Sequence, residues 1–251
     1  MDNLGALILT YNEEDNIEEC LETLNWIDDI VVIDSYSNDN TINLAKKYTQ
    51  QVYQRNFDDF ASQRNYGLEQ INSEWVLVVD ADERVTPNLK EEIVDKLKSL
   101  QAEGYKIPRK NYFLGKWIKY CGWYPDYTLR LFKSNNRYSG LVHEGVEIEG
   151  RIDKLNNALI HYTYRDLKHY LSKINHYTTL DADKKYKAGK KKGITYIILR
   201  PIIEFIKKFI LKRGFLLGTQ GFILSILSSY YQFLKYIKLW EKNQFKSGRE
   251  K

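Results

Sequence analysis

The sequence predicts an α/β protein built on a mostly parallel central sheet flanked by helices, with a helical, basic C-terminal tail. Three observations lead there. Short apolar runs of strand length alternate with segments of helical pattern over the first hundred residues, and that alternation implies parallel strands covered by helices. Each of the three strongest apolar runs ends in polar or acidic residues, "TYN", "DS" and "DADE". The net charge of +5 also hides a split, because residues 184–251 hold 17 Lys and Arg against 3 Asp and Glu, a surplus of +14 that leaves −9 on the rest.

The elements follow in order. "LGALILT" (residues 4–10) reads as a short buried strand. "NEEDNIEECLETLNW" (12–26) has helical spacing, with Asn12 as N-cap and acids in the first turn. "DIVVIDS" (29–35) is a second strand, "NDNTINLAKKYT" opens a helix and "QVYQRNF" suits a third short strand. "FASQRNYGLEQI" (60–71) is helical and precedes the strand "WVLVV" (75–79). Pro87 then stands in the first turn of another helix, a position where its missing N–H costs nothing. From residue 101 to 164 aromatics and glycines crowd a β-rich stretch. Residues 164–186 read as helix and "KKYKAGKKKG" as a basic linker. These shifts divide the chain into a catalytic domain over 1–165, with halves 1–100 and 101–165, and a tail over 166–251.

In the tail, Pro201 marks a helix start in "RPIIEFIKKFILKRG". There Ile202, Phe205, Ile206, Phe209 and Ile210 keep helical spacing among lysines. The uncharged "FLLGTQGFILSILSSYYQFL" (215–234) is long enough to span a bilayer, but its Gln, Thr, Ser and Gly content makes it a poor span. An interfacial or re-entrant placement, or packing against protein including a homo-oligomer, competes with spanning. The interleaving of cations with aliphatic runs points to an anionic membrane surface and away from nucleic acid. Two cysteines, Cys20 and Cys121, form neither a metal cluster nor a disulfide framework, which suits a cytoplasmic, reducing compartment. "MDNLGALILTYNEE" lacks a basic leader and reads as a first strand, not a secretion signal.

Ligands of parallel sheets gather at the carboxyl ends of the strands. Thr10-Tyr11-Asn12, Asp34-Ser35 and Asp80-Ala81-Asp82 would therefore converge on one edge. Taken singly, each is as well explained by a cap or a solvated turn. Carboxylates spaced i and i+2 after a strand suit Mg²⁺ or Mn²⁺ bridging to a diphosphate, since these ions take few protein oxygens and fill the remainder with water and phosphate.

"LILTYNEEDNIEECLETL", "VVIDSYSNDNT", "FASQRNYGLE" and "WVLVVDADERV", in that order, resemble the nucleotide-sugar domain of family 2 glycosyltransferases, which have the GT-A fold. "GWYPDYTLRLF" and "GLVHEGV" are similar to the subgroup containing lipopolysaccharide-core β-1,4-glucosyltransferases. The resemblance implies an inverting, metal-dependent hexosyl transfer from a UDP-sugar to a lipid-linked saccharide, by an enzyme held at the cytoplasmic face of the inner membrane. It implies that Thr10, Tyr11, Asn12 and Glu13 line the nucleotide pocket and that Asp34 accepts from uracil or ribose. It further implies that Arg64 faces the nucleotide or its phosphates, with Asn65 and Gly67 shaping the helix beside it. Asp80, next to Ala81, would contact ribose or, through water, the metal, and Asp82 would bind the metal directly. His161 in "LIHYTYRD" would complete the metal or diphosphate site, although a strand-end histidine is more often just hydrogen-bonded; His143 stands under the same choice. For the base that deprotonates the acceptor hydroxyl, Asp126 in "WYPDYTLR" leads and Glu144 in "VHEG" is the rival, while an Asp126–Arg130 ion pair on a helix is the bland alternative. Trp117, Trp123 and Tyr124 suit either sugar stacking or a core. Two other functions fit the same pattern less well. Nucleotidyl transfer would want a Gly-rich loop that "LTYNEEDN" lacks, and a non-catalytic membrane scaffold would not need the acids.

Overall fold

The computed structural model describes residues 3–99, 101–140, 145–164 and 166–245. In chain order the elements are β1 (Leu4–Thr10), α1 (Ile17–Glu22), β2 (Asp29–Asp34), α2 (Thr41–Ala45), β3 (Val52–Gln54), α3 (Phe60–Leu68), β4 (Trp75–Asp80), β5 (Glu83–Arg84) and α4 (Pro87–Ser99). β6 (Gly104–Phe113), β7 (Lys116–Trp117), β8 (Asp126–Lys133), β9 (Tyr138–Ser139), β10 (Gly145–Val146), β11 (Ile152–Lys154) and β12 (Leu159–His161) follow. The chain ends in α5 (Leu167–Lys187), α6 (Ile194–Ile206), a π-turn (Lys207–Leu211), a 3₁₀ turn (Gly214–Leu217) and α7 (Thr219–Phe245). Two compact units result: Met1–Lys110 with Pro125–His161, and Asn111–Tyr124 with Tyr162–Lys251.

In the first unit the sheet order is β3-β2-β1-β4-β8-β6-β12-β5. β3, β2, β1 and β4 run parallel, β8 pairs antiparallel with both β4 and β6, and β11 adds to β6 in parallel. Side chains on a strand alternate between faces, and both faces here are covered. Ala6, Ile8, Leu77 and Val79 pack with Ile17 and Leu21 of α1 and Leu89 and Ile93 of α4. Leu7, Val76 and Val78 pack with Ala61 and Leu68 of α3 on the opposite face. This two-sided burial is why the parallel strands read as unbroken apolar runs. α3 starts on Asp59, whose side chain accepts from the Ser62 N–H at 2.8 Å. Gly67 lets α3 lie close on β1, because a Cβ there would stand 2.3 Å from the Leu7 Cδ1.

Two helix starts differ from expectation. Asn12 does not cap a helix: its φ is +53°, a left-handed turn residue that Asn tolerates, and α1 begins only at Ile17. Pro201 does not open α6 but lies inside it, seven residues after Ile194. The N1 preference of proline is overridden there by burial of the residue.

In the second unit, Phe113, Ile118, Tyr170, Ile174, Leu217 and Leu224 form one cluster, and Ile197, Tyr236 and Leu239 another. Trp123 packs against Phe113, their ring centroids 6.2 Å apart, and Trp117 meets Tyr124 edge-on at 5.4 Å. Gly221 is required by a close approach, since a Cβ would sit 1.8 Å from the Gly214 carbonyl oxygen. Among the described residues no helix is long and apolar enough to cross a membrane.

Candidate active site

Strand register brings the polar groups together. Thr10 is paired with Asp34 across β1 and β2, and Leu9 with Asp80 across β1 and β4. The ends of three adjacent parallel strands thus carry Thr10, Asp34 and Asp80 to one edge. Thr10 is buried, and among the described residues its hydroxyl Oγ1 has no hydrogen-bond partner. Asp34 is also buried and accepts from the Ser37 N–H (2.8 Å) and Oγ (2.5 Å), bonds that fix the loop after β2. That loop is tied to the one after β1, because Asn12 N–H donates to Ser37 Oγ and Asn38 N–H to Asn12 Oδ1, each at 2.8 Å. Glu13 N–H donates to Thr41 Oγ1 at 2.8 Å. Asn12 and Glu13 therefore shape the rim, while Tyr11 is exposed upon it.

The acids that follow β4 occupy unlike surroundings. Asp80 receives Arg64 Nη2 on Oδ1 (3.2 Å) and Arg130 Nη2 on Oδ2 (2.5 Å). Burial pushes its carboxyl upward, but the Arg130 and Arg64 guanidiniums pull harder and hold it well below the usual carboxylate range. Glu83, 0 % exposed, accepts from Arg130 at 2.8 Å, from Arg109 at 3.5 Å and from the Asp80 N–H at 3.0 Å. There burial wins, and with Asp80 adding repulsion the Glu83 carboxyl is raised despite Arg130. Arg109 places both Nε (3.0 Å) and Nη2 (2.5 Å) on Asp126 Oδ2. An unbroken chain of charges results: Arg64–Asp80–Arg130–Glu83–Arg109–Asp126. Of these six, sequence pattern assigned site roles to Arg64, Asp80 and Asp126, and named Arg130 only as an ion-pair partner for Asp126. Arg130 does not pair with Asp126 as helical spacing would have it, because Asp126 and Arg130 lie on the strand β8.

Asp82 stands apart from that chain. Its Oδ2 lies 3.4 Å from Nε2 of His161. Two features aim the pair. Arg84, itself buried, donates to the carbonyls of Ala81 (2.9 Å) and Glu83 (3.0 Å) and to Glu19 (3.2 Å), stapling the turn that carries Asp82. β5 pairs antiparallel with β12, which sets His161 opposite Glu83. The loop before β12 is fixed in turn by Glu92, which accepts from the N–H groups of Asn156 and Asn157.

These donors suit a divalent cation. At Mg²⁺- or Mn²⁺-to-ligand distances of about 2.1 Å, adjacent octahedral ligands stand about 3 Å apart, close to the 3.4 Å found between Asp82 and His161. Carboxylate oxygen with imidazole nitrogen is a donor set that Mn²⁺ accepts. Among the described residues no three His, Cys, Asp or Glu side chains converge on one point. Asp80 has both oxygens engaged by arginine. His143 and Glu144 lie outside the described residues. A surface hollow of about 470 Å³ beside α3, lined in part by Arg55, Ser62 and Tyr138, contains none of the strand-end acids. The site is therefore defined by strand ends and not by cavity size.

Adjacent parallel strands whose ends carry acids, with an antiparallel strand returning a histidine beside them, are arranged as in the GT-A fold. Residues 6–145, just over half of the chain, match the model described as Glycosyl transferase family 2, and the chain belongs to that family. It is 29 % identical, over 97 % of its length and 94 % of the relative's, to the lipopolysaccharide core biosynthesis glycosyltransferase LpsC of Rhizobium meliloti. It is 27 % identical to an uncharacterized glycosyltransferase of Rickettsia typhi, over 96 % of this chain and 88 % of that one. Among solved structures, residues 1–349 of Staphylococcus aureus TarS in complex with UDP-GlcNAc superpose with a TM-score of 0.50 at 16 % identity, covering 98 % of this chain and 92 % of that one.

Proposed function

We propose that this glycosyltransferase moves a hexose, with inversion, from a UDP-sugar to a lipid-linked saccharide of the bacterial envelope, at the cytoplasmic face of the inner membrane. The observation that carries the reading is the Asp82–His161 pair, brought within 3.4 Å at the mouth of a sheet whose neighbouring strand ends offer Asp34 and the Thr10 hydroxyl. The name of the LpsC relative supports an envelope saccharide as acceptor. Residues 1–100 serve the nucleotide sugar and 101–165 the acceptor, while the tail of 166–251 attaches the enzyme.

Asp34 accepts from uracil or ribose through the carboxylate capacity left by its Ser37 bonds. Thr10, Tyr11, Asn12 and Glu13 wall the nucleotide, and Arg64, fixed against Asp80, gives a guanidinium for the phosphates. Ala81 lies beside Asp80 at the nucleotide sugar, its side chain packed into the core. Asp82 and His161 would hold Mg²⁺ or Mn²⁺, which would supply positive charge against the departing diphosphate. Asp126 takes the proton from the acceptor hydroxyl as it attacks the anomeric carbon from the face opposite the leaving group, and the carboxylate also steadies the oxocarbenium-like transition state. Arg109 fixes Asp126 by two bonds to one oxygen. The C–O bond to UDP breaks as the new glycosidic bond forms, with no covalent enzyme intermediate.

Thermal unfolding of the full chain with Mn²⁺ and a panel of nucleotide sugars tests this reading. A true donor present at about 100 Kd stabilises the fold by about 2.7 kcal/mol, so UDP-hexoses should raise Tm and GDP- or CMP-sugars should not. No shift with any UDP-sugar would overturn it.

A further inference from the structure

The second unit carries an apolar ridge on its outer face. Ile194, Ile198, Ile202, Ile206 and Ile210 follow one another at intervals of four, and all are exposed, Ile194 at 66 %. The buried residues of α6 are Ile197, Pro201 and Glu204, so the side turned away from the helix pack is the aliphatic one. Leu211, at 71 % exposed, extends the ridge beyond the π-turn. Phe209 stacks on Phe205 (5.4 Å) and meets Phe222 of α7 edge-on (5.9 Å), which joins the ridge to exposed aromatic surface on the next helix. A helix on a water-facing surface ordinarily shows the reverse polarity, and apolar patches of this continuity mark interaction sites.

Charge identifies the occupant. Lys190, Lys191 and Lys192 precede α6, and Lys207, Lys212 and Arg213 accompany the ridge, all of them exposed. Between residues 184 and 240 the sequence has a single acid, Glu204, and it is 5 % exposed. A second copy meeting this face about a two-fold axis would set the same cations against each other with no exposed carboxylate to pair them. An anionic lipid surface receives the aliphatic ridge below its headgroups and neutralises the lysines above. We propose that the ridge from Ile194 to Leu211 is a bilayer-docking surface selective for anionic headgroups. It deepens the lipid-linked-acceptor reading and is tested apart from it.

Co-sedimentation of the full chain with phosphatidylcholine vesicles, with and without phosphatidylglycerol, is the experiment. The wild type should pellet with the anionic vesicles and release as salt rises. The double variant Ile198→Glu/Ile202→Glu, at two exposed positions, should partition about tenfold less or worse, and Lys207→Gln/Lys212→Gln several-fold less. Both should keep the wild-type thermal shift with donor and Mn²⁺, which shows that the chain is folded. Equal pelleting of wild type and double variant, or indifference to phosphatidylglycerol, would overturn the proposal. So would a dimer in sedimentation velocity that the Glu variant dissolves while wild type ignores vesicles. If vesicle binding holds but no donor shifts Tm, the catalytic reading falls and the docking surface stands.

Discussion

Replacing Arg130 with leucine attacks the charge chain at its centre. Arg130 is 4 % exposed and bonds both Asp80 and Glu83. Without it Asp80 keeps Arg64, but Glu83 is left in a dry site with Arg109 at 3.5 Å and one backbone N–H. Removing one partner of a buried ion pair costs about 3–5 kcal/mol. With a urea slope near the top of the usual range of about 1–3 kcal/mol per M, the midpoint of the sheet-bearing unit should fall by about 1–2 M. Glu83 fixes the pH dependence. Its folded carboxyl is already raised and climbs further without Arg130. A raised group contributes fully below its unfolded value, near 4.5, and loses that contribution as pH rises through the folded one. The deficit should therefore be largest near neutrality and narrow in mild acid, and adding Glu83→Gln should restore part of it. Urea titrations at several pH values, followed by circular dichroism, measure this. A midpoint loss under about 0.5 M that ignores pH would refute the claim that Arg130 compensates a buried carboxylate.

Three further outcomes follow from the same geometry. Asp126→Ala should lower kcat by about 10²–10⁴-fold with little change in donor affinity, whereas Glu144→Ala should retain most turnover; the opposite ranking in steady-state kinetics would transfer the base to Glu144. Asp80 has a lowered carboxyl, so its stabilisation is present above its unfolded value of 3.8 and is lost as pH falls below it; Asp80→Asn should flatten that acid limb in denaturation monitored against pH. Gly221→Ala drives a methyl into the Gly214 carbonyl oxygen and should destabilise the helical unit by about 3 kcal/mol despite the better helix propensity of alanine, as read from its urea midpoint.

The parts of the fold legible in the sequence are those that local pattern dictates. "LGALILT", "DIVVID" and "WVLVVD" are buried on both faces, so their apolar runs and polar ends showed both the strands and the edge where Thr10, Asp34 and Asp80 meet. The Glu83–Arg130–Arg109 network was not legible, because it depends on β8 and β6 pairing antiparallel and bringing in arginines 47 and 26 residues from Glu83. Its one local signal is Glu83 itself, an acid that directly follows the Asp-x-Asp and alternates into the core. Asn12 and Pro201 misled for a shared reason. Each is a favoured helix-start residue, and each was placed instead by long-range demands: the tie from Asn12 to Ser37, and the packing of Pro201 inside the helical unit. The Ile202–Ile210 spacing was legible, but spacing cannot say which way a face points, and burial shows that this one points outward.

The most direct test of the catalytic account is UDP-sugar turnover with metal removed and restored, in the wild type and in Asp82→Ala. Chelator should abolish wild-type hydrolysis or transfer and Mn²⁺ should restore it, while Asp82→Ala stays at least about a hundredfold slower at any Mn²⁺ concentration. Turnover that is indifferent to chelator, or an Asp82→Ala variant that matches the wild type, would contradict it.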